Sequence, residues 1–178
     1  AIYLIQDGKK RAIKSMSVLT SRFNPNLIMT IPDAELSNYT VGADITLPNY
    51  SILKNGEKYY LIDFDSVRPF ANYEVVKKLG YNPGEFMDVT DADIADYSIG
   101  STINLDTSNP MGRMVKVKET GGFYYLKDGF YQPVYNEQLA KANFPSQKIE
   151  TVAQMDLQNY QPGQIMKYKD GTLLSVKG

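Results

Sequence analysis

The chain has 178 residues, with 20 acidic and 19 basic side chains and a net charge of −1. This balance argues against a nucleic-acid-binding protein, which needs a basic face, and no apolar run reaches the length of a membrane span. The absence of Cys and His excludes thiol catalysis and Cys-ligated zinc and removes the commonest general base. We therefore expect no enzyme, with a carboxylate-only hydrolase as the catalytic alternative.

The predicted elements begin with a strand near Ala1, a turn at Asp7-Gly8 and a helix capped by Ser15. A more complete unit follows from Ser51 to Ile103. Its Asn55-Gly56 pair predicts a hairpin turn in which both residues have positive φ. Asn72 predicts the start of a helix, and a second, shorter helix ends before Gly100. The order of elements is β-β-α-α, which indicates an α+β fold.

The third unit repeats this order. Gly121-Gly122 predicts the turn of its hairpin, and Asn136 predicts the cap of its helix. Its Tyr125-Leu126-Lys127 segment aligns with Tyr60-Leu61-Ile62 of the second unit. The segment Thr172–Val176 at the C-terminus predicts one further strand.

A recurring Tyr-x-x-Gly pattern connects the three units. Tyr39, Tyr97 and Tyr160 are separated by 58 and 63 positions and each precedes a glycine by three residues. Several anchors in the same order are evidence of an internal repeat. We therefore predict three tandem repeats, with an extra strand at the end that completes or extends the array. Their predicted boundaries are 1–47, 48–105, 106–165 and 166–178.

The two ends of the chain complement each other in this scheme. The first repeat lacks its first strand, and residues 166–178 supply such a strand without the remainder of a repeat. Three explanations are open: closure of a ring within the chain, self-association through the terminal strands, or excision from a longer array. The sequence favours the first and the third.

Two groups of side chains are candidates for binding. Four acids, which are Asp88, Asp91, Asp93 and Asp96, suggest either a calcium site or acids that oppose a helix dipole. The chain also contains 14 Tyr and 7 Phe residues but no Trp. Tyrosines exposed on a sheet can stack on sugar rings, although packing against helices is the structural alternative. The candidate tyrosines are Tyr59, Tyr60, Tyr124, Tyr125 and Tyr131.

The segments Ile31–Gly42 and Val89–Gly100, together with the preceding Tyr-Leu-Ile hairpins, resemble a tandem repeat of secreted and surface proteins of bacteria. In that repeat an aromatic hairpin and a helix precede a V-x-D-A-E-L-x-x-Y-x-x-G motif. The third unit departs from the motif at Gln154 and Met155. The resemblance implies an extracellular or cell-surface setting and no catalysis.

We therefore expect a bacterial surface or secreted repeat protein that serves as a structural or adhesive module. The alternative is a carbohydrate-binding module that holds cell-wall glycan through tyrosine faces and nearby carboxamides. The expected partners are cell-wall polysaccharide or another surface protein, with no cofactor except a calcium ion if the acid cluster binds one.

Overall fold

The computed structural model describes residues 1–175. It has a mixed α+β fold with three sheets and a few short helices. The chain divides into two compact units, Ala1–Leu105 and a second unit that begins at Asp106. None of the helices within residues 1–175 has the length and apolar character needed to cross a membrane.

The first sheet has three strands in the order β1-β2-β3. A hairpin joins the first two strands, and its Asp7 and Gly8 have φ values of 50° and 70°, as a type I′ turn requires. The elements of this part of the chain are β1 (Ile2–Gln6), β2 (Lys9–Ile13), α1 (Met16–Arg22), α2 (Asp33–Leu36) and β3 (Thr40–Val41).

The second sheet has five strands and completes the N-terminal unit. Its strand order is β7-β4-β5-β6-β8, with antiparallel pairing in the centre and parallel pairing at both edges. The elements are β4 (Ile52–Asn55), β5 (Lys58–Asp63), β6 (Ser66–Pro69), α3 (Tyr73–Lys78), β7 (Met87–Asp88), α4 (Asp91–Ile94) and β8 (Ser98–Ile99).

The third sheet, in the C-terminal unit, has the same arrangement. Its order is β12-β9-β10-β11-β13, again antiparallel in the centre and parallel at both edges. The elements are β9 (Arg113–Val117), β10 (Phe123–Lys127), β11 (Phe130–Val134), α5 (Glu137–Asn143), β12 (Ile149–Val152) and β13 (Gln161–Pro162). A 3₁₀ turn at Gln154–Leu157 takes the place that α4 has in the second sheet.

The helix caps follow the sequence predictions. The side chains of Ser15, Asn72 and Asn136 each accept a hydrogen bond from the backbone N–H three residues later. These bonds satisfy one of the free donors at each helix start. The predicted turn at Gly121-Gly122 also lies between two paired strands, β9 and β10.

Three predictions of local structure need correction. The β-β-α-α order omits a third hairpin strand and the short parallel edge strands. The turn predicted at Asn55-Gly56 has Gly56 and Glu57 as its central residues, because Asn55 pairs with Lys58, and of these two only Gly56 has a positive φ.

The alignment of the third unit is also shifted by one residue. Tyr124 lies opposite Pro133 as Tyr60 lies opposite Pro69, so the segment that matches Tyr60-Leu61-Ile62 begins at Tyr124. A shift of one residue in a strand exchanges its two faces. The third error therefore changes which tyrosines reach the surface.

The predicted C-terminal strand is not formed in the part of the segment that the structure describes. Residues 172–175 have no regular secondary structure, and Val176, Lys177 and Gly178 lie outside the described residues. Within residues 1–175, β1 is paired only with β2. The predicted completion of the array by this strand is therefore not observed.

Candidate functional site

A groove in the C-terminal unit is the candidate site. It has a volume of about 500 Å³ and no charged residue in its lining. The lining residues are aromatic, apolar or neutral polar: Val117, Thr120, Tyr124, Tyr131, Pro133, Gln154, Leu157, Gln158, Tyr160 and Pro162. We call it the tyrosine groove. Its lack of charge suits a neutral ligand better than an ionic one.

Adjacent strands place two of its three tyrosines. Tyr124 on β10 lies opposite Pro133 on β11, and Tyr131 is two residues before that proline. The two tyrosines are therefore diagonal neighbours on one face of the sheet. Their rings meet edge to face, with centroids 5.6 Å apart and an interplanar angle of 88°. This packing fixes the ring orientations.

The opposite wall of the groove is held by the 3₁₀ turn. The backbone N–H of Gln154 donates to the Glu119 carboxylate at 2.9 Å, and that of Ala153 donates to Asp156 at 2.9 Å. The Tyr160 hydroxyl accepts a hydrogen bond of 2.7 Å from the Asn109 side chain. The exposed side chains of Gln154 and Gln158 therefore stand beside aromatic rings whose positions are fixed.

The corresponding face of the second sheet is filled instead of open. Relative to the strands of the second sheet, Ile94 and Tyr97 occupy the positions that Leu157 and Tyr160 occupy in the third sheet. Here Ile94 is 9% exposed and belongs to one apolar cluster with Val18 of α1 and with Leu47. The Tyr97 hydroxyl accepts a hydrogen bond of 3.0 Å from the backbone N–H of Leu47. The N-terminal segment thus covers this face.

The structure separates the five predicted tyrosines. Tyr124 and Tyr131 line the groove. Tyr59 and Tyr125 are 9% and 5% exposed and lie in the core, each stacked on another ring, so they present no face to solvent. Tyr60 is half-buried and packs against the cluster beneath α1.

Sequence reasoning missed the role of Tyr160 in the groove. It used Tyr160 only as an anchor of the repeat and did not include it among the candidate tyrosines. The missing signal was the neutral composition of Gln154 and Gln158, where the second unit has Asp91 and Ala95. That difference is visible in the sequence once the repeats are aligned on Tyr97 and Tyr160, which are 63 positions apart.

The four predicted calcium ligands do not form a metal site in the described structure. No group of three or more acidic side chains within residues 1–175 is arranged to hold a metal ion. Asp91 accepts a hydrogen bond from the Asn55 side chain at 2.6 Å, and Asp96 forms an ion pair with Lys14 at 3.3 Å. Asp88 contributes its backbone carbonyl, which accepts from Ser17. The calcium interpretation therefore has no support from this geometry.

The fourth acid, Asp93, stabilises a helix start. Its carboxylate accepts hydrogen bonds from the backbone N–H and the hydroxyl of Thr90, at 2.7 and 2.8 Å, and from Ser17 at 3.3 Å. Burial alone would raise the pKa of Asp93, but hydrogen bonds from Ser15, Thr90 and Ser17 together lower this pKa below its usual value. Since Ser15 and Ser17 flank the start of α1, Asp93 connects α1 to α4.

No protein-family pattern matches this chain, and a comparison with curated proteins finds no match. Among solved structures, the chain is similar to parts of two assemblies, described as the periplasmic assembly from the ESX-5 inner membrane complex and an intact ESX-5 inner membrane complex. In each case 99% of this chain is covered, at 10% identity and a TM-score of 0.25. The covered share of the other chain is 68% and 59%, respectively. Likenesses at this level do not bear on the function of this chain.

Proposed function

We propose that the chain is a tandem-repeat, non-catalytic structural or adhesive module of a bacterial surface or secreted protein. The observation that carries the proposal is the recurrence of one backbone arrangement three times. The N–H groups of Gly42, Gly100 and Gly163 donate to the last hairpin strand of their own sheets (β2, β6 and β11) at 3.0, 2.9 and 2.7 Å. Three residues later in the chain, the N–H groups of Ile45, Ile103 and Met166 also donate to this strand. Each accepting carbonyl lies two residues beyond the one that accepts from the glycine.

The recurring glycines have a common physical reason. A Cβ atom built at Gly100 would lie 2.8 Å from the Cγ atom of Arg68, and one built at Gly42 would lie 3.1 Å from that of Arg11. At Gly163 the close neighbour is the Tyr131 carbonyl at 3.1 Å. Glycine lets the backbone lie this close to a strand without crowding the strand's own atoms. A sequence that keeps this requirement three times supports an origin in repetition.

Stacked repeats of this size suit a mechanical or adhesive role. Each is too small to bury a comfortable core alone, so the repeats stabilise one another. In the N-terminal unit α1 packs on the second sheet, which is the kind of support that the proposal requires. Each unit then presents the exposed side chains of its own sheets to a cell-wall polysaccharide or another surface protein.

Retention on bacterial cell walls tests the adhesive function. Beads coated with the chain are expected to bind purified walls more strongly than beads coated with heat-unfolded chain. Walls stripped of protein distinguish the two partner classes, since binding to stripped walls indicates a glycan and its loss indicates a surface protein. Equal retention of folded and unfolded chain would overturn the proposal.

The tyrosine groove favours a second candidate function, the binding of a neutral cell-wall glycan. Two tyrosine rings, Tyr124 and Tyr131, can contact the apolar faces of sugar rings, and the carboxamides of Gln154 and Gln158 can hydrogen-bond sugar hydroxyls. A volume of about 500 Å³ is within the ordinary range of small-ligand sites. The proposal assigns Tyr124 and Tyr131 from the predicted set and adds Tyr160.

Tyrosine substitutions test this candidate. Titration with soluble cell-wall oligosaccharides should give about tenfold weaker binding for Tyr124→Ala, which corresponds to about 1.4 kcal/mol. Tyr135→Ala is the matched control, because Tyr135 is 87% exposed and lies outside the groove lining. Equal affinity of both variants would exclude the groove as the glycan-binding site, provided that their circular dichroism spectra match.

A further inference from the structure

A second pocket lies beside the tyrosine groove in the C-terminal unit. It has a volume of about 440 Å³ and combines four polar residues with two apolar ones: Ser108, Arg113, Asp156, Asn159, Leu126 and Val152. We call it the polar pocket. Tyr160 lines both the pocket and the groove, so the two spaces meet at this ring. One apolar cluster, which contains Val117, Leu126 and Val152, lies beneath both.

The polar pocket offers hydrogen-bonding groups of opposite kinds. The Arg113 guanidinium can only donate and the Asp156 carboxylate can only accept. The side chains of Ser108 and Asn159 can do both. An anionic ligand would meet the charge of Asp156, and a cationic ligand would meet that of Arg113. Because a hydroxyl group both donates and accepts, neighbouring hydroxyl groups match this set best.

Arg113 is held in place with donors to spare. Its Nη2 atom donates to the Glu150 carboxylate at 2.6 Å. This hydrogen bond raises the pKa of Arg113 above its usual value against the opposing effect of burial, and the nearby Asp156 acts in the same direction as Glu150. Among residues 1–175 the guanidinium forms no other hydrogen bond, so its remaining N–H groups can bind a ligand.

The second sheet shows which groups bind at the matching place. Asp93 there corresponds to Asp156, because each lies four residues before its recurring tyrosine and each accepts from a backbone N–H three residues earlier. The Ser17 hydroxyl of α1 donates to the Asp93 carboxylate at 3.3 Å, and Val18 packs in the apolar cluster of that sheet. A hydroxyl group beside an apolar group therefore occupies this place within the chain itself.

One difference between the two sheets changes the charge that this place accepts. Asp96, which pairs with the Lys14 ammonium at 3.3 Å, is replaced by Asn159 in the third sheet. A carboxamide favours a neutral partner where a carboxylate favours a cation. Arg113, at the place of Ser51, adds a donor that the second sheet lacks. The third sheet therefore favours a neutral ligand rich in hydroxyl groups.

We propose that the polar pocket is a second sugar-binding subsite, so that one neutral oligosaccharide extends past the Tyr160 ring from the tyrosine groove to Arg113 and Asn159. The inference rests on the glycan-binding function proposed for the groove. Sugar rings in the groove contact tyrosine faces, whereas hydroxyl groups of the next sugar bond the polar side chains of the pocket. Ligands that fill both spaces therefore bind more tightly than ligands that fill the groove alone.

Calorimetric titration of the whole chain tests the second subsite. The probes are neutral oligosaccharides released from bacterial cell walls and separated into a disaccharide and a pentasaccharide fraction. Asn159→Ala should weaken binding of the longer fraction about fivefold and leave the disaccharide fraction unchanged. Asn38→Ala is the matched control, because Asn38 is exposed, directly precedes the recurring Tyr39 and lines neither space. Equal affinities of the two variants for the longer fraction would overturn the subsite.

A pair of charge variants separates ligand binding by Arg113 from its ion pair. Arg113→Gln removes the donor and should weaken binding of the longer fraction several-fold. Glu150→Gln breaks the same ion pair but keeps the guanidinium, so its affinity should match that of the wild type. Equal weakening by both variants would overturn the direct contact between Arg113 and the ligand.

Methyl chemical shifts of two valines give an independent readout. Val117 lines the groove and Val152 lines the polar pocket. The disaccharide fraction should shift the Val117 signals alone, and the longer fraction should shift both. Val152 signals that no bound fraction moves would overturn the second subsite and leave the function of the groove intact. Failure of every fraction to bind the wild type would instead overturn glycan binding itself, and the second subsite with it.

Discussion

The second and third sheets have the same strand order but differ in how one face is used. In the N-terminal unit, α1 and the segment around Leu47 cover that face and bury Ile94. In the C-terminal unit, Leu157 at the matching position lines the open tyrosine groove. The comparison teaches that the same strand arrangement supplies either a buried core or an open groove, according to what covers it.

The largest loss of stability is expected at the residue that precedes the first hairpin strand of each five-stranded sheet. One unit has a side chain at this position, and the other has no room for one. Tyr50 and Gly112 occupy matching places before their sheets, both with positive φ. A Cβ atom at Gly112 would lie 1.8 Å from the Tyr125 hydroxyl. Gly112→Ala should therefore lower the free energy of unfolding by about 3 kcal/mol in urea denaturation.

The control for this substitution is Gly129→Ala in the same unit. Gly129 has a φ of 81°, and a Cβ atom built there meets no atom within 4 Å. Its cost is the left-handed conformation alone, about 1 kcal/mol. Similar losses for the two variants would show that the clash with Tyr125 does not exist.

Truncation of the matched apolar pair tests the comparison itself. Ile94→Ala should cost about 3 kcal/mol, because it leaves a cavity beneath α1. Leu157→Ala should cost about 1 kcal/mol, because the side chain is already partly exposed to solvent. Both values are measured by denaturant unfolding. A larger loss for Leu157→Ala would contradict the assignment of the open face.

Removal of the two matched tyrosine hydroxyls should give a smaller difference in unfolding free energy than truncation of the apolar pair. Tyr97→Phe leaves the backbone N–H of Leu47, a buried residue, without its partner, which should cost about 1.5 kcal/mol. Tyr160→Phe releases the Asn109 side chain, which is partly exposed and can bond water instead, and should cost about 0.5 kcal/mol. Thermal unfolding of both variants checks the order, and the reverse order would contradict it.

The smallest effect is a pH dependence at the junction of α1 and α4. Burial acts to raise the pKa of Asp93, but hydrogen bonds outweigh it and lower this pKa in the folded chain. The stabilisation by Asp93 is therefore complete above the unfolded-state pKa of about 3.9 and is lost as pH falls through the folded pKa. The difference in unfolding free energy between the wild type and Asp93→Asn should shrink in that acid window.

A second variant connects this pH effect to α1. Ser17→Ala removes one donor to the Asp93 carboxylate. The pH-dependent difference between the wild type and Asp93→Asn should become smaller when both chains also carry Ser17→Ala, as measured by a double-mutant cycle. An unchanged difference would show that Ser17 does not contribute.

The sequence predicted the elements that depend on local chemistry. Asn72 and Asn136 predicted the starts of their helices correctly, because a short side-chain acceptor bonds the first free N–H groups of a helix directly. The recurring Gly100 and Gly163 were recognised as a pattern, but their reason, a close approach to a strand, needs the paired sheet. The edge strands β8 and β13 were not predicted because two residues carry too little periodicity.

Prediction of the groove would have required information on how separate segments of the chain pair and pack. Tyr124 and Tyr131 were predicted as candidates, yet Tyr125 was ranked with them because aromatic neighbours on one strand look alike. Only the register with β11 shows that Tyr124 reaches the groove and Tyr125 the core. The covering of one face by α1 is a tertiary choice, and nothing local in the sequence encodes it.

Solvent paramagnetic relaxation of methyl groups in the wild-type chain is the most direct measurement of the difference between the two faces. With a neutral gadolinium probe, the Leu157 methyl groups should relax several-fold faster than the Ile94 methyl groups, because Leu157 lines an open groove and Ile94 lies beneath α1. Equal protection of both residues would mean that the groove is covered as the other face is. It would contradict the distinction between a filled and an open sheet.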